Sequence, residues 1–257
     1  MDDFSQALVE VLQDNKPAAV ATVVKTRGAS PRAAGAKMLV YPDGSIVGSV
    51  GGGEMELRVI KTAQDALHDG KPRFLDMNLS NEGHGDPMIC GGEMEIFVEP
   101  LALAPTLLLV GAGHVGAAVA QQAKLLGFRV VVLDDRAEFV TPESFPHADE
   151  RIAGDVVKEI EKLEITPQTY IVFVTRAHTL DAALLSAVIE KDAAYIGMLG
   201  SERRVLTVKN LLKQKGVSEA ALARVHAPIG IEIHAETPQE IAVSIMAEII
   251  QTKRSNV

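Results

Sequence analysis

The chain has a single cysteine, no tryptophan, and aromatic residues at only 4%. One thiol allows no internal disulfide, which fits a reducing compartment and leaves Cys90 free. With so little aromatic surface, a stacking platform for single-stranded nucleic acid is not expected. A basic stripe is also missing. Arg203-Arg204 and Lys253-Arg254 are the densest basic spots, and the net charge of −9 argues against a partner made of nucleic acid. No apolar run approaches the ~20 residues that span a bilayer, so no membrane segment is expected. The start, Met1-Asp2-Asp3-Phe4, is acidic and lacks the basic and apolar regions of a secretory signal, so the expected compartment is the cytoplasm. Internal repeats and low-complexity segments are absent too.

What is present suits two domains of ordinary size: 257 residues, 47% of them apolar. The fold class read from the pattern is α/β, an N-terminal mixed α/β domain followed by a Rossmann-like domain with a parallel sheet. In the first part, residues 4–14 carry Phe4, Leu8, Val11 and Leu12 on one helical stripe. A β-prone run follows at 18–24, then a hairpin from Lys37–Tyr41 and Ile46–Gly48 around Pro42-Asp43-Gly44-Ser45. A helix from Glu54 to about Ala66 closes at Asp69-Gly70, a β-prone segment surrounds Phe74-Leu75, and Glu93–Glu99 alternates like a strand. The small, proline-punctuated stretch from Ala102 to Pro105 reads as a linker, dividing the chain into domains at 1–101 and 102–257.

Beyond that linker the periodicity changes. Continuous apolar strands at 107–110, 130–133, 170–174 and 193–196 alternate with helices at 114–126, 181–190 and 202–215, the pattern of a parallel sheet covered on both faces. The last helix is marked by Thr237-Pro238-Gln239-Glu240, a capping box with proline at the first helical position.

Gly111-Ala112-Gly113-His114-Val115-Gly116 satisfies G-x-G-x-x-G between the first of these strands and its helix. The spacing asks Gly111 for a tight turn, Gly113 for close approach of a phosphate, and Gly116 for packing of helix on strand, with the helix N-terminus facing the anion. Asp134 ends the next strand, where a ribose-binding acid belongs, and Arg136 is placed to assist a 2′-phosphate. His114 sits at the helix start. Other strand ends of a parallel sheet converge on the same crevice, which brings in Arg176 and His178, then Gly197, Gly200 and Ser201, and the Pro228-Ile229-Gly230 loop. His178 with Asp181 reads either as two metal ligands or an acid/base pair, or as a loop histidine beside a capping aspartate. His84, His226 and His234 show no ligand spacing.

The N-terminal domain carries its own glycine clusters, Gly51-Gly52-Gly53 and Cys90-Gly91-Gly92. Glycine lets a ligand lie against the backbone, and sulfur is the softest ligand a protein offers. Cys90 therefore reads either as a soft-metal contact or sulfur relay, or as a small buried hydrophobe.

Taken in order, the motifs resemble the XdhC/CoxI family of accessory proteins for molybdenum hydroxylases such as xanthine dehydrogenase. The N-terminal likeness lies in Gly28-Ala29-Ser30-Pro31-Arg32, Gly51 to Glu56, and Cys90-Gly91-Gly92. The C-terminal likeness runs from Gly111–Gly116 through Asp134-Asp135-Arg136, Thr175–His178, Tyr195–Ser201 and Pro228–Gly230 to the final helix. The resemblance implies a homodimer that binds and shields the molybdenum cofactor (molybdopterin). It further implies support for sulfuration of the cofactor with a cysteine desulfurase, and insertion into the apo molybdenum hydroxylase. On that reading Cys90 is the sulfur or molybdenum contact, and Gly51, Gly52, Gly53, Glu56, Gly91 and Gly92 wall its pocket. The alternative is an NAD(P)-dependent oxidoreductase or a dinucleotide-sensing protein, in which only the Gly111 loop matters.

Overall fold

A computed structural model describes residues 2–78, 92–101 and 103–255. The chain divides into two units, Met1–Leu103 and Ala104–Val257. Each is described by itself.

In the first unit, α1 (Asp3–Asp14) starts where Asp2 accepts from the Ser5 N–H at 2.8 Å and stops at Asn15 in the left-handed region, φ 52°. It buries Ala7 and Val11, while Leu12 on the expected stripe is 57% exposed. The strands β1 (Ala19–Arg27), β2 (Lys37–Val40), β3 (Ile46–Gly48), β4 (Arg73–Asn78) and β5 (Glu93–Pro100) form an antiparallel sheet in the order β3-β2-β1-β5-β4. β1 runs past its expected end because β5 continues to pair with it as far as Arg27 opposite Glu93, across an irregularity between Val23 and Lys25. The alternation of β5 sends Met94, Ile96 and Val98 inward. There they meet Met55, Val59, Ala63 and Ala66 of α2 (Gly53–Asp69), spaced to share one helical face. The opposite face of the sheet packs Val20 and Leu39 against Ala7 and Val11 of α1.

The second unit holds six parallel strands: β6 (Thr106–Val110), β7 (Arg129–Asp134), β8 (Glu150–Ala153), β9 (Thr169–Phe173), β10 (Tyr195–Met198) and β11 (Val225–His226). Their order is β11-β10-β9-β6-β7-β8. The chain runs outward from β6 to β8, then returns to the other side of β6 and runs out to β11. That reversal between β6 and β9 is the switch point of a doubly wound dinucleotide-type sheet.

The strands are apolar on both faces because both faces are covered. Leu107 and Leu109 face α3 (His114–Leu125) and α8 (Pro238–Ser255). Leu108 and Val110 face α4 (Val156–Lys162), α5 (His178–Val188) and α6 (Glu202–Gln214), with α7 (Glu219–Ala223) beyond. The parallel Rossmann-type sheet and the mixed α/β N-terminal unit agree with the fold class read from the sequence, while β8, α4, α7 and β11 are additional to it. Among the described residues no helix is long and apolar enough to cross a membrane.

Candidate functional site: a glycine-loop cavity and a convergence of glycine motifs

At the switch point the loops after β6, β7 and β9 enclose a cavity of about 650 Å³. Gly111, Ala112, Gly113 and His114 border it from the β6 side, Asp134, Asp135 and Arg136 from β7, and Thr175, Arg176 and Ala177 from β9.

The three glycines have three different reasons to be there. Gly111 has φ +119°, and a Cβ on it would stand 2.6 Å from the Val174 carbonyl oxygen. A Cβ on Gly116 would meet the Gly111 carbonyl oxygen at 2.1 Å, so its absence seats α3 on the loop. Around Gly113 nothing lies within 4 Å of a built Cβ. That open space, beside the N-terminus of α3, is where an anion can approach the backbone, and no side chain caps the helix there.

Asp134 is buried at the mouth of this loop, and its partners are its own neighbours. Oδ2 accepts from the Ala112 N–H at 2.6 Å and from Arg136 Nη2 at 2.9 Å, and Oδ1 accepts from the Arg136 backbone N–H at 3.0 Å and from Nε at 2.8 Å. Four donors fill the roughly four acceptor positions of a carboxylate. Burial pushes the Asp134 carboxyl up, but the Arg136 guanidinium and the Ala112 and Arg136 N–H groups outweigh it and hold it at about 2. Arg136 in turn lies over Phe139, its Cζ 3.8 Å from the ring centroid, at a 3-10 turn formed by Ala137–Phe139. The two residues expected to read a ribose and a 2′-phosphate are bonded to each other.

Asp181 is also committed. It is fully buried and bonded to Thr175 Oγ1, and Arg204 reaches it with Nε at 2.7 Å and Nη2 at 2.6 Å. Arg204 also donates to the Thr175 carbonyl at 3.1 Å, so this pair braces the β9–α5 turn that carries Arg176. Asp181 is held by Arg204, and His178 is exposed and does not border the cavity. Among the described residues no three His, Cys, Asp or Glu side chains gather as a metal-ligand set.

Further along the sheet, a Cβ on Gly197 would stand 2.4 Å from Ile229, so that glycine serves packing. Ser201 caps α6 by accepting from the Arg204 N–H at 3.4 Å, and a Cβ on Gly200 would lie 3.1 Å from Arg204 Cδ. None of these three borders the cavity. Phe139, Thr175 and Arg204 were not singled out as site residues from the sequence. Phe139 carried one usable signal, as one of few aromatics placed just after a strand end.

In the N-terminal unit three separated motifs converge. A Cβ on Gly92 would lie 2.2 Å from the Ala29 carbonyl oxygen and 2.7 Å from that of Arg27, and one on Gly51 would lie 2.7 Å from Pro31 Cγ. The 27–31 loop thus touches both glycine segments. The turn into α2 is held by Glu56, whose Oε1 accepts from Ser49 Oγ at 2.8 Å and from the Val50 N–H at 3.2 Å. Gly52 at φ +81° is the uncapped N-cap of α2 with open space around it, and Gly53 opens the helix at φ +64°. Cys90, Gly91 and His84 lie outside the described residues.

These features define a class: a doubly wound unit with an open glycine loop at its switch point, following an antiparallel unit with its own glycine motifs. Residues 107–249 match the model of the XdhC Rossmann domain, and residues 11–78 match that of the XdhC and CoxI family. The chain belongs to the XdhC and CoxI family. It is 41% identical to the uncharacterized protein YqeB of Escherichia coli K12 over 99% of this chain and 47% of that one. Identity to a probable xanthine dehydrogenase subunit from Bacillus subtilis 168 is 33%, covering 62% of this chain and 46% of the relative. To the molybdenum cofactor insertion chaperone PaoD of E. coli K12 it is 26%, covering 95% and 86%. The chain thus spans about half the length of the first two relatives.

Proposed function

We propose that this chain holds the molybdenum cofactor as cargo and delivers it to a molybdenum hydroxylase of the xanthine dehydrogenase type. One observation carries the reading: a glycine-loop cavity with open backbone at Gly113 stands in the same chain as the converging 27–31, Gly51 and Gly92 segments. Two relatives support it, one named as a molybdenum cofactor insertion chaperone and the other as part of a probable xanthine dehydrogenase.

The residues fit the phosphate-bearing end of such a cargo. The Gly111–His114 backbone would hold the phosphate, with Arg176 as the exposed cation at the rim. In the N-terminal unit Cys90 would carry sulfur or contact molybdenum, flanked by Gly91 and Gly92, with Gly51–Gly53 as a wall and Glu56 setting its shape, a role tested independently of the Gly111 loop. A cysteine desulfurase and the apo-hydroxylase are the partners in this reading, a homodimer the assembly, and the cytoplasm its place. Holding by loop hydrogen bonds suits transfer, because a carrier has to release what it binds. An NAD-dependent oxidoreductase would read the ribose with Asp134, which is engaged by four donors.

The test is anaerobic titration with molybdenum cofactor, then gel filtration and metal analysis, comparing wild type with Gly113→Val and Cys90→Ser. Gly113 has φ −86° and nothing within 4 Å of a built Cβ, so a valine there is expected to fill the approach and keep the fold. Molybdenum co-eluting with wild type and reduced about tenfold or more in at least one variant is the expected result, and the variant affected names the unit that holds the cargo. Absence of molybdenum from the wild-type peak overturns the reading.

A further inference from the structure

The Asp134–Arg136 pair has a consequence for what the cavity admits. A ribose offers two vicinal hydroxyls, and a dinucleotide-type site reads them with an acid at the end of the second strand. That acid is present, but every acceptor position is filled, three of the four by Arg136 itself. The guanidinium bonds are charge-assisted, stronger than the neutral hydroxyl bonds that would replace them. They are also sheltered, with side-chain exposures of 5% for Asp134 and 21% for Arg136, so solvent screens them little. Stacking on Phe139 holds Arg136 from its other side.

We propose that Arg136 is a specificity-determining residue that makes this cavity blind to a ribose diol. The class of ligand left to it is a phosphate ester approaching the Gly111–Gly113 backbone with no vicinal diol to satisfy at the β7 end. The inference refines the cargo-binding reading, on which it rests for the phosphate ester being the natural ligand. The blindness itself is a property of the cavity and is tested on its own.

The probes are ADP and 2′,3′-dideoxy-ADP, which differ only in the diol, titrated calorimetrically into the full chain. Wild type is expected to discriminate between them less than twofold. Arg136→Met keeps an apolar stem over Phe139 and removes the two guanidinium donors; it is expected to prefer ADP at least tenfold, because two acceptor positions of Asp134 are then free. Arg136→Ala serves as the second variant should the methionine not fold. Adding Asp134→Asn to either is expected to return the preference below twofold. A gain of binding cannot come from misfolding. The proposal is overturned if the diol preference of the Arg136 variants does not exceed that of wild type, failure to bind ADP included. It is also overturned if the preference survives in the double variant, since the diol would then be read elsewhere. Molybdenum retention is measured in parallel. A chain that retains molybdenum yet gains no diol preference loses this inference alone, whereas one that gains the preference and retains no molybdenum loses the cargo reading alone.

Discussion

The buried carboxylate of Asp134 ties acid stability to the geometry of the cavity. Its value falls from 3.8 in the unfolded chain to about 2 in the folded one, so its contribution is complete above about pH 4 and is lost as pH drops toward 2. A shift of that size corresponds to roughly 2 kcal/mol. Asp134→Asn should therefore unfold at lower urea concentration than wild type at pH 7. The difference between the two should shrink between pH 4 and pH 2, where wild type protonates as well. Urea melts at pH 7 and pH 3 check this, and a constant difference across the range would refute it. The position of Asp134 at the end of an apolar strand was legible in the sequence, and so were the tight turn at Gly111 and the close packing at Gly116. Its partner was not, because residues two apart on an extended strand share a face only while the strand lasts. The chain leaves the strand here, and an aspartate accepting from the N–H two residues on makes a side-chain turn that brings Arg136 back. Asp181 and Arg204, 23 residues apart on different helices, had no local signal at all.

At the scale of elements, α8 does more than cover the sheet. Glu248 on it accepts from the Tyr195 hydroxyl on β10, from the Gly230 N–H at 2.8 Å in the loop that follows β11, and contacts His226 Nδ1 of β11 at 3.1 Å. Burial pushes the Glu248 carboxyl up, and the bonds from His226, Tyr195 and Gly230 more than reverse that, leaving it below the usual value. Burial first, then the bond to Glu248, pushes the Tyr195 hydroxyl far up, so it stays a donor. Glu248→Ala would strand a buried hydroxyl and a backbone N–H together, at a cost of about 2–3 kcal/mol, whereas Tyr195→Phe, which removes one donor, should cost about 1 kcal/mol. Denaturant melts of both variants check the ordering, and an equal loss in the two would contradict the role given to Gly230. The start of α8 was legible because its signals are local: Glu240 accepts from the Thr237 N–H at 2.9 Å, and the Thr237 hydroxyl accepts from the Glu240 N–H at 3.3 Å. The elements that went unread, β8, α4, α7 and β11, are the short ones, 4, 7, 5 and 2 residues long. Stretches of that length give little room for a period to declare itself, and neighbouring strands and helices decide their conformation.

For the whole molecule, the alternation of strands and helices signalled a parallel sheet, but the reversal that creates the cavity is a property of strand order, set by contacts remote in sequence. Each unit has its own apolar core, so heating is expected to reveal two transitions rather than one. Asp134→Asn weakens only the 104–257 unit and so marks which transition belongs to it. A ligand stabilises the unit that binds it, by ~2.7 kcal/mol at a hundredfold excess over its dissociation constant. If the phosphate end of the molybdenum cofactor rests on the Gly111 loop, adding the cofactor anaerobically should raise the transition that Asp134→Asn lowers. Gly113→Val should abolish that rise while leaving the ligand-free transitions where they are. A rise confined to the other transition would assign the cargo to the N-terminal unit, and the Gly111 cavity would then need a different ligand. Scanning calorimetry on the three proteins, with and without cofactor, separates these cases, because linkage reports the unit that holds the ligand even when affinity alone does not.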